Sequence, residues 1–197
     1  MKKSHFWISV VSILLASCVT SAPHQNNIWQ AQRDWQTFNA SARLGVKMGQ
    51  QGGFAYFEWT RKNGVETFDL NTPIGTTLGQ LCQDAQGALA LDSKNHRYQA
   101  HNAEELSLQL LGYALPVQHL SVWANGEWLR DKPHSLDNSG HLQQLGWRIT
   151  RETNQDDLPH ILLLENDKMS IRFIFHSSER HAGLPEKTEQ CAAREEH

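Results

Sequence analysis

The chain of 197 residues is long enough for one domain with a hydrophobic core, and too short for two ordinary domains once a leader is removed. Its composition, with 39% hydrophobic and 20% charged residues, is typical of a globular protein and excludes wholesale disorder. The 18 basic and 21 acidic residues give a formal charge of −3, and the sequence contains no long Lys/Arg cluster. A surface that binds nucleic acid is therefore not expected.

The N-terminus has the pattern of a bacterial export signal. Two lysines precede an apolar stretch at residues 6–15, which is too short and too sharply ended for a membrane-spanning helix. The stretch leads into Leu15-Ala16-Ser17-Cys18, which resembles a lipobox, where small residues admit the peptidase and the cysteine thiol receives the lipid. We interpret residues 1–17 as a lipoprotein signal peptide and Cys18 as the lipidation site. Cleavage of an ordinary signal peptide nearer Ala22 is the alternative.

A short tether and a helix are expected to follow the lipidation site. Residues 18–27 are rich in polar residues and proline, which is typical of a spacer between an anchor and its domain. Folding is expected to begin near Ile28. Apolar residues then recur at intervals of three and four, which predicts an amphipathic helix over residues 27–39 with Trp35 and Phe38 on its apolar face.

Between residues 40 and 100 the hydrophobic period changes to two, which indicates antiparallel strands in sequence order. Asn63-Gly64 separates two of these strands and is a strong hairpin signal. Some strands carry apolar side chains on both faces, as at Tyr56 and Phe57.

Two helices and further strands are predicted in the second half. Asn102 and Glu105 form a variant of the capping box that opens a helix ending at Gly112, with Leu106, Leu110 and Leu111 on one side. A second short helix is predicted over residues 116–124. Strands are then expected over residues 141–150, 160–164 and 169–175, and the charged tail 177–197 is expected to be disordered.

These elements predict a mainly β domain with some α-helix. About ten antiparallel strands in a domain of this size curl toward a barrel, and helices inserted into the strand order must cover a face or an opening. An unclosed antiparallel β-barrel with a helical lid is the expected architecture.

The motifs of common enzyme classes are missing from the sequence. It contains no H-E-x-x-H motif and no G-x-S-x-G motif, so we expect no enzymatic activity and no metal or other cofactor. The eleven histidines are interpreted as surface residues. Cys82 and Cys191 could form a disulfide in an exported protein, but a strand and a polar tail are not an obvious pair, and the pairing stays open.

The order and spacing of short motifs resemble the outer-membrane lipoprotein receptor family LolB. The resemblance covers residues 28–176 and rests on the lipobox with Cys18, Trp29 and Trp35, Arg43-Leu44-Gly45-Val46, Phe57-Glu58-Trp59, Thr72-Pro73-Ile74-Gly75, Tyr98-Gln99-Ala100, Gly112-Tyr113-Ala114-Leu115-Pro116-Val117, Leu120-Ser121-Val122-Trp123-Ala124-Asn125-Gly126 and Gly146-Trp147-Arg148-Ile149. The polar tail after His176 departs from the family pattern.

The resemblance implies a protein anchored by lipid in the outer membrane and facing the periplasm. Such a protein accepts acylated lipoproteins from the periplasmic chaperone LolA and delivers them into the membrane without ATP. We expect a monomer that shelters acyl chains in an apolar cavity. Aromatic residues that could line that cavity are Phe54, Tyr56, Trp59, Phe68, Trp147 and Phe173.

A membrane-delivery loop is expected at Pro73, Ile74 and Gly75. Pro73 and Gly75 force a turn between two strands, which places Ile74 at a tip where burial is difficult. The family resemblance gives an apolar residue at this position a role in delivering cargo to the membrane.

Two other classes of protein share parts of this pattern. A lipoprotein that binds a small hydrophobic ligand would need the barrel but not an exposed Ile74. A structural lipoprotein of an assembly machine would have a filled barrel without a cavity.

Overall fold

The structure, a computed structural model, describes residues 29–184 and 186–194. The predicted leader, Cys18, the tether and Ile28 lie outside the described residues. The strands are β1 (Gln30–Ala31), β2 (Trp35–Met48), β3 (Gln51–Lys62), β4 (Val65–Asn71), β5 (Thr77–Asp84), β6 (Gly87–Asp92), β7 (Arg97–Ala100), β8 (Glu127–Trp128), β9 (His134–Leu136), β10 (Leu142–Gln144), β11 (Trp147–Thr153), β12 (Pro159–Glu165) and β13 (Ser170–Ala182). The helices are α1 (Ala103–Leu111) and α2 (Leu120–Ala124), with 3-10 turns at Val117–His119 and Ala192–Arg194.

Eleven strands form one antiparallel sheet in the order β7-β6-β5-β4-β3-β2-β13-β12-β11-β10-β9. The long strands β2 and β13 pair at its centre, from Lys47 opposite Ser170 to Trp35 opposite Ala182. Among the described strands, the two edges β7 and β9 do not pair with each other, so the barrel is open. β1 and β8 form a separate parallel pair. The prediction of an unclosed antiparallel barrel with helices inserted in the strand order is confirmed.

The core lies on the inner face of this sheet. In β13 the buried residues Ile171, Phe173 and Phe175 alternate with residues that are more exposed. This alternation was predicted, and it follows from the period of two along a strand with one buried face.

The helix predicted over residues 27–39 is wrong in its described part. Residues 30–31 pair with β8, and Trp35 already belongs to β2, in which Phe38, Ala40 and Ala42 are buried with a period of two. The spacing of the aromatic residues fits a helix only when the stretch is considered alone. Pairing with β3 and β13 on both sides fixes the strand instead, since tertiary context overrides a weak local pattern.

Both helices predicted in the second half of the chain are present and cover the inner face. The side chain of Asn102 caps α1 by accepting a hydrogen bond of 2.8 Å from the Glu105 N–H, and Gly112 ends the helix as predicted. The second predicted helix is divided into the 3-10 turn at Val117–His119 and α2.

The single strand predicted over residues 141–150 is instead the hairpin β10–β11. Leu145 and Gly146 both have positive φ, of 53° and 78°, and together form its two-residue turn. Positive φ at both central positions suits the twist of the flanking strands, and a glycine at the second one removes the steric cost.

The disorder predicted for residues 177–197 is wrong for the described part of the tail. β13 continues to Ala182, so the folded domain extends beyond residue 176. Residues 186–194, which we call the C-terminal strap, pack against the ends of two hairpins. The Glu189 N–H donates to the Asn63 carbonyl (3.0 Å), and the Asn63 amide donates to the Glu189 carboxylate (3.0 Å).

A disulfide between Cys82 and Cys191 attaches the strap to β5, which settles the pairing that the sequence left open. Beside it, the buried carboxylate of Asp84 accepts hydrogen bonds from Arg194 Nε (2.7 Å) and from the Cys191 N–H (2.8 Å). Burial raises the pKa of Asp84, but these hydrogen bonds outweigh it and lower the pKa below its ordinary value. The strap therefore covers the outer face of β5, where Leu89 of the next strand is also buried.

Removing the disulfide should lower the free energy of unfolding by about 2–5 kcal/mol, because the bond closes a long loop with a sequence separation of 109 residues. We expect the Cys82→Ala/Cys191→Ala variant to unfold at a lower urea concentration than the oxidised parent. A thiol reductant serves as the control, since it should destabilise the parent and leave the variant unchanged. Equal urea midpoints for parent and variant would contradict the assignment.

Candidate functional site

An apolar cavity of about 360 Å³ lies between the inner face of the sheet and the helices. Most of its lining residues are aliphatic or aromatic: Leu44, Phe57, Phe68, Leu70, Leu78, Gly79, Gln80, Leu81, Ala90, Leu91, Asp92, Tyr98, Leu106, Ser107, Leu110, Leu111, Leu115, Pro116, Val117, Leu120, Ile171 and Phe173. Its size falls within the ordinary range of ligand pockets.

The strand register forms one wall of the cavity. Phe68 of β4 lies opposite Leu81 of β5, which lies opposite Ala90 of β6, so the three side chains form a row on the inner face. In the next row Gly79 lies opposite Asp92, and a Cβ at Gly79 would come within 2.6 Å of the Leu91 carbonyl oxygen. A side chain at Gly79 would therefore clash with the backbone of β6, and the small side chain of Ala90 leaves space beneath the helices.

Helix α1 forms the opposite wall and is attached at its beginning and at its middle. At its beginning the Ala103 N–H donates to the side-chain oxygen of Gln83 on β5 (3.1 Å). Further along, the Ser107 hydroxyl donates to the Glu104 carbonyl and accepts from the Leu115 N–H, both at 2.8 Å. The second bond ties the helix to the segment that leads into the 3-10 turn.

The structure divides the six predicted cavity aromatics into three groups. Phe68 and Phe173 line the cavity. Trp59 and Trp147 are buried in the core outside the cavity lining, and Trp59 stacks on Phe68 with ring centroids 4.9 Å apart.

Phe54 and Tyr56 lie on the outer face of β3, which contradicts their assignment to the cavity. The Arg43 guanidinium covers the Phe54 ring at 4.6 Å, and Tyr56 stacks on His176 with centroids 6.2 Å apart. Alternation along the strand requires this. Phe57 and Trp59 occupy the inner face, so the even-numbered residues of β3, which include Phe54 and Tyr56, point outward.

Sequence reasoning missed the aliphatic part of the lining. Leu106, Leu110 and Leu111 were correctly placed on one side of a helix but were not assigned to the cavity. Leu44 and Leu115 could not be found at all, because each belongs to a short apolar motif that fits equally well in an ordinary core.

The turn around Ile74 has the predicted geometry. The Gly75 N–H donates to the Thr72 carbonyl (2.9 Å), and the Thr72 N–H donates to the Thr76 carbonyl (2.8 Å), which closes a tight loop between β4 and β5. Pro73 and Gly75 belong to this loop, and the Ile74 side chain is 89% exposed.

The buried carboxylate of Glu66 lies beside the Trp59 ring. Glu66 accepts a hydrogen bond from Trp59 Nε1 (2.9 Å), and the neighbouring Arg61 donates to the Ser121 hydroxyl of α2 (2.8 Å). Burial raises the pKa of Glu66, and the Arg61 charge and the hydrogen bonds from Trp59 and Ser121 offset only part of this.

The described residues contain neither a cluster that could hold a metal ion nor a helix that could span a membrane. Within 29–184 and 186–194, no three His, Cys, Asp or Glu side chains are placed to hold a metal. No helix in those same ranges has the length and apolar character needed to cross a bilayer.

The fold and the cavity define an open-barrel protein with a sheltered apolar site. The model of the family "Outer membrane lipoprotein LolB" matches residues 36–177. The chain therefore belongs to the LolB family of outer-membrane lipoproteins, as the resemblance of its motifs implied.

Two relatives by sequence agree with this assignment. An outer-membrane lipoprotein LolB from Neisseria meningitidis is 42% identical over 187 residues, which cover 93% of this chain and 95% of that protein. An outer-membrane lipoprotein LolB from Chromobacterium violaceum is 26% identical over 170 residues, which cover 85% and 94% of the two chains. A solved structure of a LolA superfamily protein from Nitrosomonas europaea covers 84% of this chain and 90% of its own, with 7% identity and a TM-score of 0.39.

Filling the cavity should weaken the binding of an apolar probe without unfolding the protein. Ala90→Phe places a ring in the space between β6 and α1, and we expect the affinity for a fluorescent fatty acid to fall by about tenfold or more. Ala182→Phe, at an exposed site at the end of β13, is the matched control and should bind like the parent. Unchanged affinity in a folded Ala90→Phe variant would exclude this cavity as the binding site.

Neutralising Glu66 should remove a pH-dependent loss of stability. Because its pKa is raised in the folded state, Glu66 favours folding below the unfolded value of about 4.3 and disfavours it as the pH rises toward the folded value. The free energy of unfolding of Glu66→Gln should therefore increase relative to that of the parent as the pH rises above this value. Urea denaturation of both proteins from pH 4 to pH 8 measures the difference, and a constant difference would refute the raised pKa.

Proposed function

We propose that this protein is an outer-membrane receptor, anchored through Cys18, that accepts lipoproteins from the periplasmic chaperone LolA and inserts them into the membrane. The observation that carries the proposal is the apolar cavity under α1 in a chain of the LolB family. The acyl chains of the cargo occupy this cavity during transfer. Lipidation at Cys18 and an orientation toward the periplasm belong to the proposal, since Cys18 lies outside the described residues.

Transfer from the chaperone is downhill if the receptor offers more apolar contact than the chaperone does. Each additional buried methylene contributes about 0.8 kcal/mol, so a difference of two methylenes favours the receptor by about tenfold. The receptor therefore needs no nucleotide and no catalytic residue, and its role is that of a carrier rather than an enzyme.

The exposed Ile74 supports delivery to a membrane rather than simple binding of a small ligand. A protein that only stored a hydrophobic ligand would gain nothing from an apolar side chain in water at the tip of a tight turn. The open cavity also argues against a purely structural lipoprotein, for which we expected a filled barrel.

Replacing Ile74 should separate uptake of cargo from its delivery. Ile74→Glu places a charge where contact with hydrocarbon is proposed, whereas the cavity lining is unchanged, so the variant should take cargo from LolA and fail to insert it into liposomes. The measurement follows labelled cargo from the chaperone to the acylated receptor and then into liposomes.

Two control variants accompany this experiment. Ile74→Leu keeps volume and polarity and should behave like the parent. Leu184→Glu introduces the same charge at another exposed apolar residue and should also behave like the parent. Insertion by Ile74→Glu at the parental rate would contradict the proposed role of the loop, and unfolding of Ile74→Glu would contradict its exposure.

A further inference from the structure

Several exposed apolar side chains lie toward one end of the barrel. Because the strands are antiparallel, five turns share this end, which we call the turn end: residues 49–50, 72–76, 93–96, 145–146 and 166–169. Exposed large apolar residues at or next to these turns are Met48, Phe54, Ile74, Leu78 and Leu145. The apolar surface at this end is therefore larger than the single loop that carries Ile74.

The β2–β3 hairpin provides a second apolar projection beside that loop. The last pair between β3 and β4 joins Tyr56 to Asn71, so residues 51–55 of β3 continue past the end of β4 by about 17 Å. Met48 and Phe54 are 37% and 56% exposed on this extension. Residues 72–76 follow Asn71 directly, so the two projections belong to neighbouring strands, while on the other side β13 pairs with β2 as far as Lys47.

Exposed lysines surround these projections. Lys47 precedes Met48 and lies opposite Ser170, next to the turn that carries Lys168, and Lys94 lies in the turn between β6 and β7. Within 29–184 and 186–194, none of the three ammonium groups forms an ion pair. Two carboxylates share these turns: Asp92 accepts hydrogen bonds from the backbone N–H groups of residues 94 and 96, and the exposed Asp167 adjoins Lys168. The chain as a whole has more acidic than basic residues, so free lysines at this end are a local feature.

We propose that the turn end docks flat on an anionic phospholipid bilayer, with the β2–β3 hairpin tip (Lys47, Met48 and Phe54) as a second membrane contact besides Ile74. This inference rests on the proposed function and extends it from one loop to a surface. Exposed apolar side chains with exposed lysines in the neighbouring turns are the pattern of a protein that lies at a membrane interface.

A lipid surface fits this end better than a protein partner does. Ile74 and Leu145 stand in separate turns and Met48 ends β2, so these three residues do not line one groove, and a bilayer accepts such tips without a complementary shape. The lysines complement anionic headgroups, whose attraction falls with salt.

The test measures binding to vesicles by flotation, with the chain from residue 18 onward carrying Cys18→Ala so that no lipid anchor holds it. On vesicles of phosphatidylcholine and phosphatidylglycerol, Met48→Glu/Phe54→Glu should bind about tenfold or more weakly than the parent. Lys47→Gln should bind about fivefold more weakly on these vesicles and equally well on phosphatidylcholine alone. Met48→Leu/Phe54→Trp should keep the parental affinity, and Leu184→Glu is the control for an added charge elsewhere.

Three outcomes would overturn the inference. In the first, Met48→Glu/Phe54→Glu binds vesicles like the parent while Ile74→Glu does not deliver cargo, which leaves the proposed function intact. In the second, the double variant binds vesicles like the parent but loses uptake of cargo from LolA, which makes the hairpin tip a protein-docking surface. In the third, circular dichroism shows that the double variant is unfolded, which makes Met48 and Phe54 part of the core. Delivery by Ile74→Glu at the parental rate would instead contradict the delivery role of the loop in the proposed function, whatever the hairpin tip does.

Discussion

The pairing of the long strands β2 and β13 is the constraint on which the rest of the structure depends. It joins the beginning and the end of the domain at the centre of the sheet, and both meanders extend outward from it. The alternation in these strands decides which face is apolar for every neighbour in register. The helices must then cover that face, because a curved apolar sheet cannot be left in water.

The two halves of the covered face are filled to different extents. Trp123 of α2 and the strand residues beneath it are fully buried and occupy the space: Leu142, Ile149, Leu162 and Leu164. Beneath α1 the facing strands present Gly79 and Ala90, and the cavity remains. One inner surface therefore provides both a packed core, which stabilises the domain, and an unfilled site, whose apolar lining is available to a ligand.

The sequence predicted the fold well where local chemistry determines a position, and poorly where contacts distant in the chain do. Asn63-Gly64, the cap at Asn102 and the exposed Ile74 follow from local backbone geometry and were predicted correctly. The β2 strand was predicted as a helix near Trp35, because its partners come from residues far along the chain.

The same limit applies to the candidate site. Which aromatics of β3 point inward depends on the register of the whole sheet, so Phe54 and Tyr56 could not be separated from Phe57 and Trp59 by composition. Cys191 meets Cys82 only after the chain has crossed the barrel, and the polar sequence around it gives no local indication of this contact.

Buried polar contacts hold the end of the barrel opposite the turn end. Glu127 is fully buried and accepts hydrogen bonds from Arg33 Nε (2.9 Å) and Trp35 Nε1 (3.0 Å), which fixes the entry of the chain into β2. Arg151 donates to the Ala124 carbonyl (2.8 Å) and to Asp157 (3.0 Å), and the C-terminal strap closes the neighbouring hairpins. Such paired groups specify one arrangement, because leaving any of them unpaired in the interior is costly.

The two ends of the barrel therefore differ, with polar contacts at one end and exposed apolar side chains at the other, and this difference affects the proposed transfer. The cavity is lined by Leu78 and Tyr98, which are themselves exposed near the turn end, so the apolar lining continues to the surface that carries Ile74. An acyl chain that leaves the cavity there meets apolar side chains and then the bilayer, with little of its length passing through water. Since each methylene exposed to water costs about 0.8 kcal/mol, a continuous apolar path lowers the barrier to release. The proposed function therefore requires the cavity and the membrane contact to share one end of the barrel, and the rigid polar network to occupy the other.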